Sequence, residues 1–113
     1  MEPRPFRVVF RGRNVVAEHP LHPGHQARVG FWATCHVAAR SAREAEQAAF
    51  ESIFNDAELQ QAVRNAPHDP PAVDLELVQE APALPREAGR LRYDWFAEDD
   101  PLAQPAPEEE PAS

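Results

Sequence analysis

The stretch RVGFWATCHVAARSAREAEQAAF, residues 28–50, contains the strongest secondary-structure signals in this sequence. Its first half alternates with a period of two between positions suited to burial and mixed positions, which is typical of a half-buried β-strand. Its second half begins with Ser41-Ala42-Arg43-Glu44, a capping box in which the serine and glutamate side chains satisfy backbone N–H groups. Alanines then recur at helical spacing. We therefore predict a strand over residues 28–39 that leads directly into a helix.

The alternation along this strand assigns its side chains to two faces. The odd positions suit burial and include Cys35, whereas the even positions include Arg28, Trp32, Thr34 and His36. Neighbouring side chains on a strand point to opposite faces of the sheet. We therefore expect Cys35 inside the core and His36 outside it.

The flanking segments complete an α+β pattern. Upstream, Phe6–Arg11 alternates with Arg7 and Arg11 pointing outward, and residues 14–17 form a short second strand. Downstream, we predict a short helix to about residue 65 and strands over residues 72–80 and 90–96. The inward side chains expected on these two strands are Val73, Leu75, Leu77, Leu91, Tyr93 and Trp95. The order β-β-β-α-α-β-β indicates an antiparallel sheet of four to five strands, with one main helix and a short second helix on one face.

The chain of 113 residues has the length of a single domain. We assign residues 1–97 to one α+β domain and residues 98–113, EDDPLAQPAPEEEPAS, to an acidic, proline-rich, disordered tail. There is no apolar run long enough for a transmembrane helix, and no signal peptide is visible. The single cysteine fits a reducing compartment, so we expect a cytoplasmic protein without a membrane partner.

The charges are distributed unevenly along the chain. Residues 1–43 contain seven arginines and two acidic residues, whereas residues 44–113 contain four arginines and 17 acidic residues. This asymmetry is compatible with a nucleic-acid patch beside an acidic tail, or with basic and acidic strands side by side. We favour the second interpretation. The charges that we expect to pair across strands are Arg7, Arg11 and Arg28 with Asp74, Glu76 and Glu80.

The stretch EHPLHPGHQ, residues 18–26, spaces three histidines evenly: His19, His22 and His25. Zinc takes four tetrahedral ligands, and His36 or Cys35 would have to supply the fourth. However, Pro20 and Pro23 exclude the helix on which this spacing would aim the imidazoles together, and strand parity places Cys35 in the core. We therefore favour a solvated turn and keep a metal-binding accessory role as an alternative.

Catalytic chemistry has little support in this sequence. A cysteine nucleophile needs a base within hydrogen-bond reach, and His36 points away from Cys35. The four glycines are scattered, so no phosphate-binding loop is visible. We expect no enzymatic activity and no cofactor.

The most promising surface is an aromatic and basic one on the sheet. If the face is open, Trp32, Thr34 and His36 would join Arg7, Arg11 and Arg28 there, where they would bind an acidic peptide or stack a base. Alternatively, Trp32 is covered by Tyr93 or Trp95 of the last strand, or by the histidine segment. The net charge of −8 opposes nucleic-acid binding.

Three segments together resemble a known group of sequences: GFWATCHVAARSAREAEQAAFESI, DPPAVDLELVQEA and YDWFAEDD. In this group of small uncharacterised bacterial proteins, a Gly-aromatic strand runs into a Glu/Ala-rich helix and an aromatic strand ends in acidic residues. The resemblance covers residues 6–100 and implies an α+β fold without an assigned activity. The strand and its S-x-x-E-A helix are also similar to HicB-type antitoxins at the level of the fold.

The sequence therefore predicts a non-enzymatic bacterial regulatory protein that binds another protein. An immunity or antitoxin role is one concrete form, since small acidic domains can neutralise basic partners by charge complementarity. The first alternative is the metal-binding accessory protein that uses His19, His22 and His25. The second is a nucleic-acid-binding regulator that uses the arginine-aromatic face.

Overall fold

A computed structural model describes residues 2–86 and 88–98 of the chain. Four strands form one antiparallel sheet in the order β3-β1-β2-β4, and two helices pack against it. The elements are β1 (Arg4–His19), β2 (His22–Ala39), α1 (Ala42–Phe54), α2 (Ala57–Ala62), β3 (Ala72–Glu80) and β4 (Leu91–Ala97). The predicted α+β architecture, an antiparallel sheet with two helices, is confirmed.

The first strand differs from the prediction. Residues 6–11 and 14–17 belong to one strand, β1, so the element order is β-β-α-α-β-β. The interruption seen in the sequence is a register shift between Gly12 and Val15, where Asn14 adopts a φ of 55°. Gly12 is required there because a Cβ atom would lie 2.0 Å from the Phe31 ring. The glycine therefore marks a β-bulge inside a strand rather than the end of one.

The main core lies between the sheet and the helices. Its buried residues on β1 and β2 include Phe10 and Phe31, and α1 contributes Ala45, Ala49 and Ile53. The small alanines let the helix approach the sheet closely. Ser41 caps α1 as predicted, since its hydroxyl accepts the N–H of Glu44 at 3.1 Å. We call this face the helix side of the sheet.

The second helix is shorter than the prediction. Asp56 caps α2 by accepting the N–H of Leu59 at 3.1 Å, but the helix ends at Ala62 because Val63 is extended. Neither α1 nor any other helix in the described part of the chain is long and apolar enough to cross a membrane.

The register of β3 overturns one assignment to the core. Val9 lies opposite Leu77 and Phe10 lies opposite Leu75, so Glu76 is an extra residue at a bulge. Leu77 consequently packs on the face opposite the helices, although the sequence predicted that its side chain would point into the core. Val78 packs against the helix-side core instead. A one-residue shift reverses the face of every later side chain, and the alternating sequence cannot show where it occurs.

The predicted charge pairs are met only in part: Arg11 lies opposite Asp74 in the register of β1 and β3, whereas Arg7 lies opposite Gln79. Ion pairs among the described residues include Arg4–Glu80, Arg13–Asp74 and Arg28–Asp69, the last at 3.4 Å. Arg28 cannot reach the acidic residues of β3 because β1 lies between β2 and β3. The Asn14 amide also donates to Asp69 at 2.8 Å, and this bond is the main reason that the pKa of Asp69 is lowered.

The last strand of the described residues is β4. β4 ends at Ala97, and Glu98 is attached to the sheet because its N–H donates to the Arg28 carbonyl at 3.2 Å. Residues 99–113 of the predicted tail lie outside the described residues.

Candidate interaction surfaces

The structure brings five of the six predicted surface residues onto one face of the sheet. Arg7 lies opposite His36, and Arg11 lies opposite Trp32, with Thr34 in the row between them. We call these five residues the arginine–tryptophan face. The sixth, Arg28, lies farther along β2 and pairs with Asp69.

The centre of this face is closed. Trp32 is only 6% exposed and Arg7 only 3%. The Arg11 guanidinium lies over the indole at 5.3 Å from the ring centre, and the Phe96 ring lies 6.4 Å away. Phe96 can approach because its partner on β2 is Gly30, where a Cβ atom would lie 2.6 Å from the phenylalanine ring. Trp32 is therefore too buried to stack on a nucleic-acid base.

The residues expected to cover Trp32 lie on the other side. The rings of Tyr93 and Trp95 pack against Phe31 at 5.4 and 5.2 Å, within the helix-side core. The predicted alternation of β4 was therefore right, but the alternation also places Phe96 beside Trp32. The sequence did not predict that Phe96 covers Trp32, because Tyr93 and Trp95 already accounted for the alternation of this strand.

A buried hydrogen-bond donor lies at the centre of this face. The indole N–H of Trp32 is buried, and it has no hydrogen-bond acceptor in the described part of the chain. A buried donor without an acceptor costs roughly 1–3 kcal/mol. An oxygen atom of a partner could reach this donor only if the residues that cover the indole moved.

Cys35 lies in the helix-side core, as predicted. Its side chain is fully buried, and burial raises the pKa of its thiol. His36 lies on the opposite face of the sheet. The pair therefore lacks both the thiolate and the nearby base of a cysteine nucleophile.

The histidine segment forms the tip of the β1–β2 hairpin. Strands continue on both sides of a two-residue turn, Pro20-Leu21, so the predicted solvated turn is the exposed tip of a long hairpin. The His19 and His22 rings lie 4.5 Å apart, and the Leu21 N–H donates to His19 Nδ1 at 3.0 Å. Across residues 2–86 and 88–98, no group of three or more histidine, cysteine or acidic side chains is arranged to hold a metal ion.

An apolar groove between α1, α2 and β3 was not predicted. Its volume is about 490 Å³, and its apolar lining consists of Phe50, Ile53, Phe54, Leu59, Val63, Pro71 and Val73. We call it the Phe54 groove, because Phe54 is 74% exposed at its rim. The Phe50 and Phe54 rings stack at 6.4 Å, since residues four apart share one side of a helix.

The sequence did contain a signal for this groove. The core stripe of α1 consists of small residues and ends with Ile53, and both phenylalanines fall beside that stripe. Phe50 packs against Phe10 of β1, with the ring centres 4.8 Å apart, whereas Phe54, one turn later, extends past the core. What the sequence could not show is that α2 and β3 provide the other walls.

The elements around the groove are strongly acidic. α1, α2 and β3 together contain seven acidic residues and one arginine, Arg43 in the first turn of α1. Phe54 lies at the opposite end of that helix. Asp74 and Glu80 form ion pairs with arginines of β1, whereas Glu51, Glu58 and Glu76 are exposed.

β3 is also an edge strand of the sheet. In the described part of the chain, only β1 pairs with it, so the backbone on its outer side has no strand partner. β3 contains neither proline nor a basic residue, two common ways to block an edge. Val73 belongs both to this edge strand and to the wall of the Phe54 groove.

Comparison with known proteins found no protein-family model that matches the chain, no similar curated protein and no similar solved structure. The resemblances noted from the sequence therefore stay predictions. Function has to be argued from the two surfaces described above.

Proposed function

We propose that this chain is a non-enzymatic bacterial protein that acts by binding another protein through the Phe54 groove. The observation that carries the proposal is the 74% exposure of Phe54 at the rim of an otherwise apolar groove. Aromatic side chains are enriched at protein interfaces, where a few anchors supply most of the binding energy. Phe54, stacked on Phe50, has the properties of such an anchor.

The lining of the groove supports a protein partner over a small molecule. Small-molecule sites combine an apolar enclosure with several polar groups that orient the ligand. Here Gln60 is the single polar residue that lines the groove in the described part of the chain. Apolar contact with an extended protein segment requires no such orienting groups.

The surrounding charge supports a protein partner over a nucleic acid. Seven acidic residues on α1, α2 and β3, and a net charge of −8, would repel phosphates. The nucleic-acid alternative depended on base stacking by Trp32, which is buried.

A basic partner fits this surface best, and an immunity or antitoxin role is the concrete form that we propose. Acidic surfaces accelerate association with basic proteins and exclude acidic ones. We also place the protein in the bacterial cytoplasm, because its single cysteine, Cys35, is a free thiol.

Site-specific photocrosslinking tests the proposal. A benzophenone side chain at position 54 should form a covalent adduct with one protein in cells of the producing organism. The matched control is position 21, because Leu21 is also 74% exposed but lies at the hairpin tip. The purified partner should then bind the wild type and Leu21→Ser equally, and bind Phe54→Ser about tenfold more weakly. Equal affinity for all three proteins would refute the role of the groove.

The arginine–tryptophan face is a second candidate surface, as the sequence proposed. It is favoured by the buried indole N–H of Trp32, which a carboxylate oxygen of an acidic partner segment could accept. A benzothiophene side chain, a non-natural analogue in which sulfur takes the place of the indole N–H, keeps the ring of Trp32 and removes only this donor. Loss of partner affinity in that analogue, with unchanged affinity in Phe54→Ser, would favour this face over the groove.

A further inference from the structure

The Phe54 groove opens beside the free edge of β3. Val73 lines the groove and lies opposite Gly12 of β1, so its side chain is on the helix side of the sheet. A strand added to this edge would lie about 4.8 Å from β3. Its own helix-side residues would then stand next to Val73 and Leu75, at the mouth of the groove.

We infer that the partner segment is a β-strand that pairs with the free edge of β3 and alternates apolar with basic side chains. This inference rests on the proposed function, because it names what occupies the Phe54 groove. Strand addition gives affinity through backbone hydrogen bonds and specificity through pockets for alternate side chains.

The apolar half of the pattern follows from the helix side. There, alternate side chains of the added strand would meet Val73 from the sheet and Phe50 and Phe54 from the helix. All three are apolar, and Phe54 is largely exposed without an occupant. Apolar residues at every second position would bury these surfaces.

The basic half follows from the charge of the edge. β3 carries Asp74 on the face without helices and Glu76, exposed, at the bulge in the middle of the strand, whereas Glu80 lies past the bulge, opposite Phe6 on the helix side. Opposite charges on neighbouring strands are stabilising, whereas like charges directly opposite one another are destabilising. Lysine or arginine at the alternate positions would satisfy this requirement.

The same charges argue against a second copy of this chain as the occupant. β3 contains three acidic residues and no basic residue, so pairing two copies of this edge would bring like charges together. This repulsion disfavours a symmetric dimer through this edge.

Peptide binding tests the inference. The probe is a nine-residue peptide in which lysine and valine alternate, followed by NMR of the isotope-labelled full chain. We expect amide shifts in residues 72–80 and around Phe54. Affinity should fall about tenfold for a glutamate–valine peptide and for Phe54→Ser, and stay unchanged for Leu21→Ser. Glu76→Lys should reverse the preference between the two peptides.

A backbone control separates strand addition from simple contact in the groove. N-methylation of alternate residues removes hydrogen-bond donors but keeps the side chains. Methylation of the set whose N–H groups face β3 should abolish binding, whereas methylation of the other set should leave it largely unchanged. Binding that survives methylation of each set in turn would overturn the inference, as would equal affinity for both peptides. Formation of a protein adduct at position 54, without any binding of the lysine–valine peptide, would overturn the inference of an added strand. It would not contradict the proposal that a partner protein binds the Phe54 groove. The inference would also be overturned if the free chain formed a dimer and Glu76→Lys strengthened that dimer. The occupant of the edge would then be a second copy of this chain.

Discussion

Trp32 is less exposed, and Phe54 is more exposed, than the place of each in the fold suggests. Trp32 lies on the sheet face without helices, yet it is 6% exposed, whereas Phe54 lies on a helix that packs on the core and is 74% exposed. Trp32 is covered by residues distant in sequence, Arg11 and Phe96. Phe54 lies one position past the core stripe, and no such residue within 2–86 and 88–98 covers it. Contacts with residues distant in sequence, more than the secondary-structure element that carries the ring, therefore decide which aromatic side chain is available to a partner.

The largest expected effect separates these two residues by stability. Trp32→Ala should lower the free energy of unfolding by about 3–5 kcal/mol, because it empties a buried site. Phe54→Ala should change it by no more than about 0.5 kcal/mol, because the ring is exposed. Urea denaturation followed by far-UV circular dichroism measures both. If Trp32→Ala does not fold, Trp32→Phe should show a smaller loss in the same direction. Similar losses for the two positions would mean that the comparison is wrong.

The next effect concerns the glycine that admits Phe96. Gly30→Ala should destabilise the fold by about 1–3 kcal/mol, since the new Cβ would lie 2.6 Å from the Phe96 ring and 2.9 Å from the Gly12 carbonyl oxygen. In a Trp95→Phe background, Trp32 should also become more accessible to acrylamide quenching.

Gly24→Ala is the matched control for this prediction. Gly24 has open space around its Cβ position, and its φ of 86° makes any loss there a backbone effect. It should therefore leave the quenching of Trp32 unchanged. Unaltered quenching in Gly30→Ala would show that Phe96 is not the cover of Trp32.

The contacts behind these two predictions also show which features of the fold the sequence alone could not predict. Alternation and capping were sufficient to predict an antiparallel sheet with two helices and the start of α1, and they placed Cys35 inside and Arg7 and His36 on the outer face. They were insufficient wherever a bulge or a third element decides the outcome. Leu77 changed faces at the Glu76 bulge, and the Phe54 groove needed α2 and β3 to meet α1. Such contacts are long-range, and no local pattern encodes them.

A smaller effect tests the polar contact within the helix side. The Tyr93 O–H donates to Asp56 at 2.7 Å, and burial together with this bond raises the pKa of Tyr93 well above its usual range. Above pH of about 10 the unfolded chain loses the phenolic proton and the folded chain keeps it, so stability should fall as pH rises.

Tyr93→Phe isolates this contribution. It should cost about 1 kcal/mol at pH 7 and make the decline above pH 10 shallower than in the wild type. Cys35 is present in both proteins, so its own raised pKa contributes equally to each curve. Thermal unfolding from pH 7 to 11 measures the difference, and parallel curves would contradict the assignment to Tyr93.

The smallest effect concerns the hairpin tip, which is exposed like Phe54. Zinc needs four tetrahedral ligands in a structural site, and His19 and His22 are the two histidines in ring contact. His19 Nδ1 already accepts the Leu21 N–H, which leaves Nε2 as its ligand atom. We therefore expect zinc to shift the NMR signals of both rings only weakly. His22→Ala should weaken this response and His25→Ala should leave it unchanged. An equal loss in His25→Ala would instead favour the three-histidine site, and with it the metal-binding alternative.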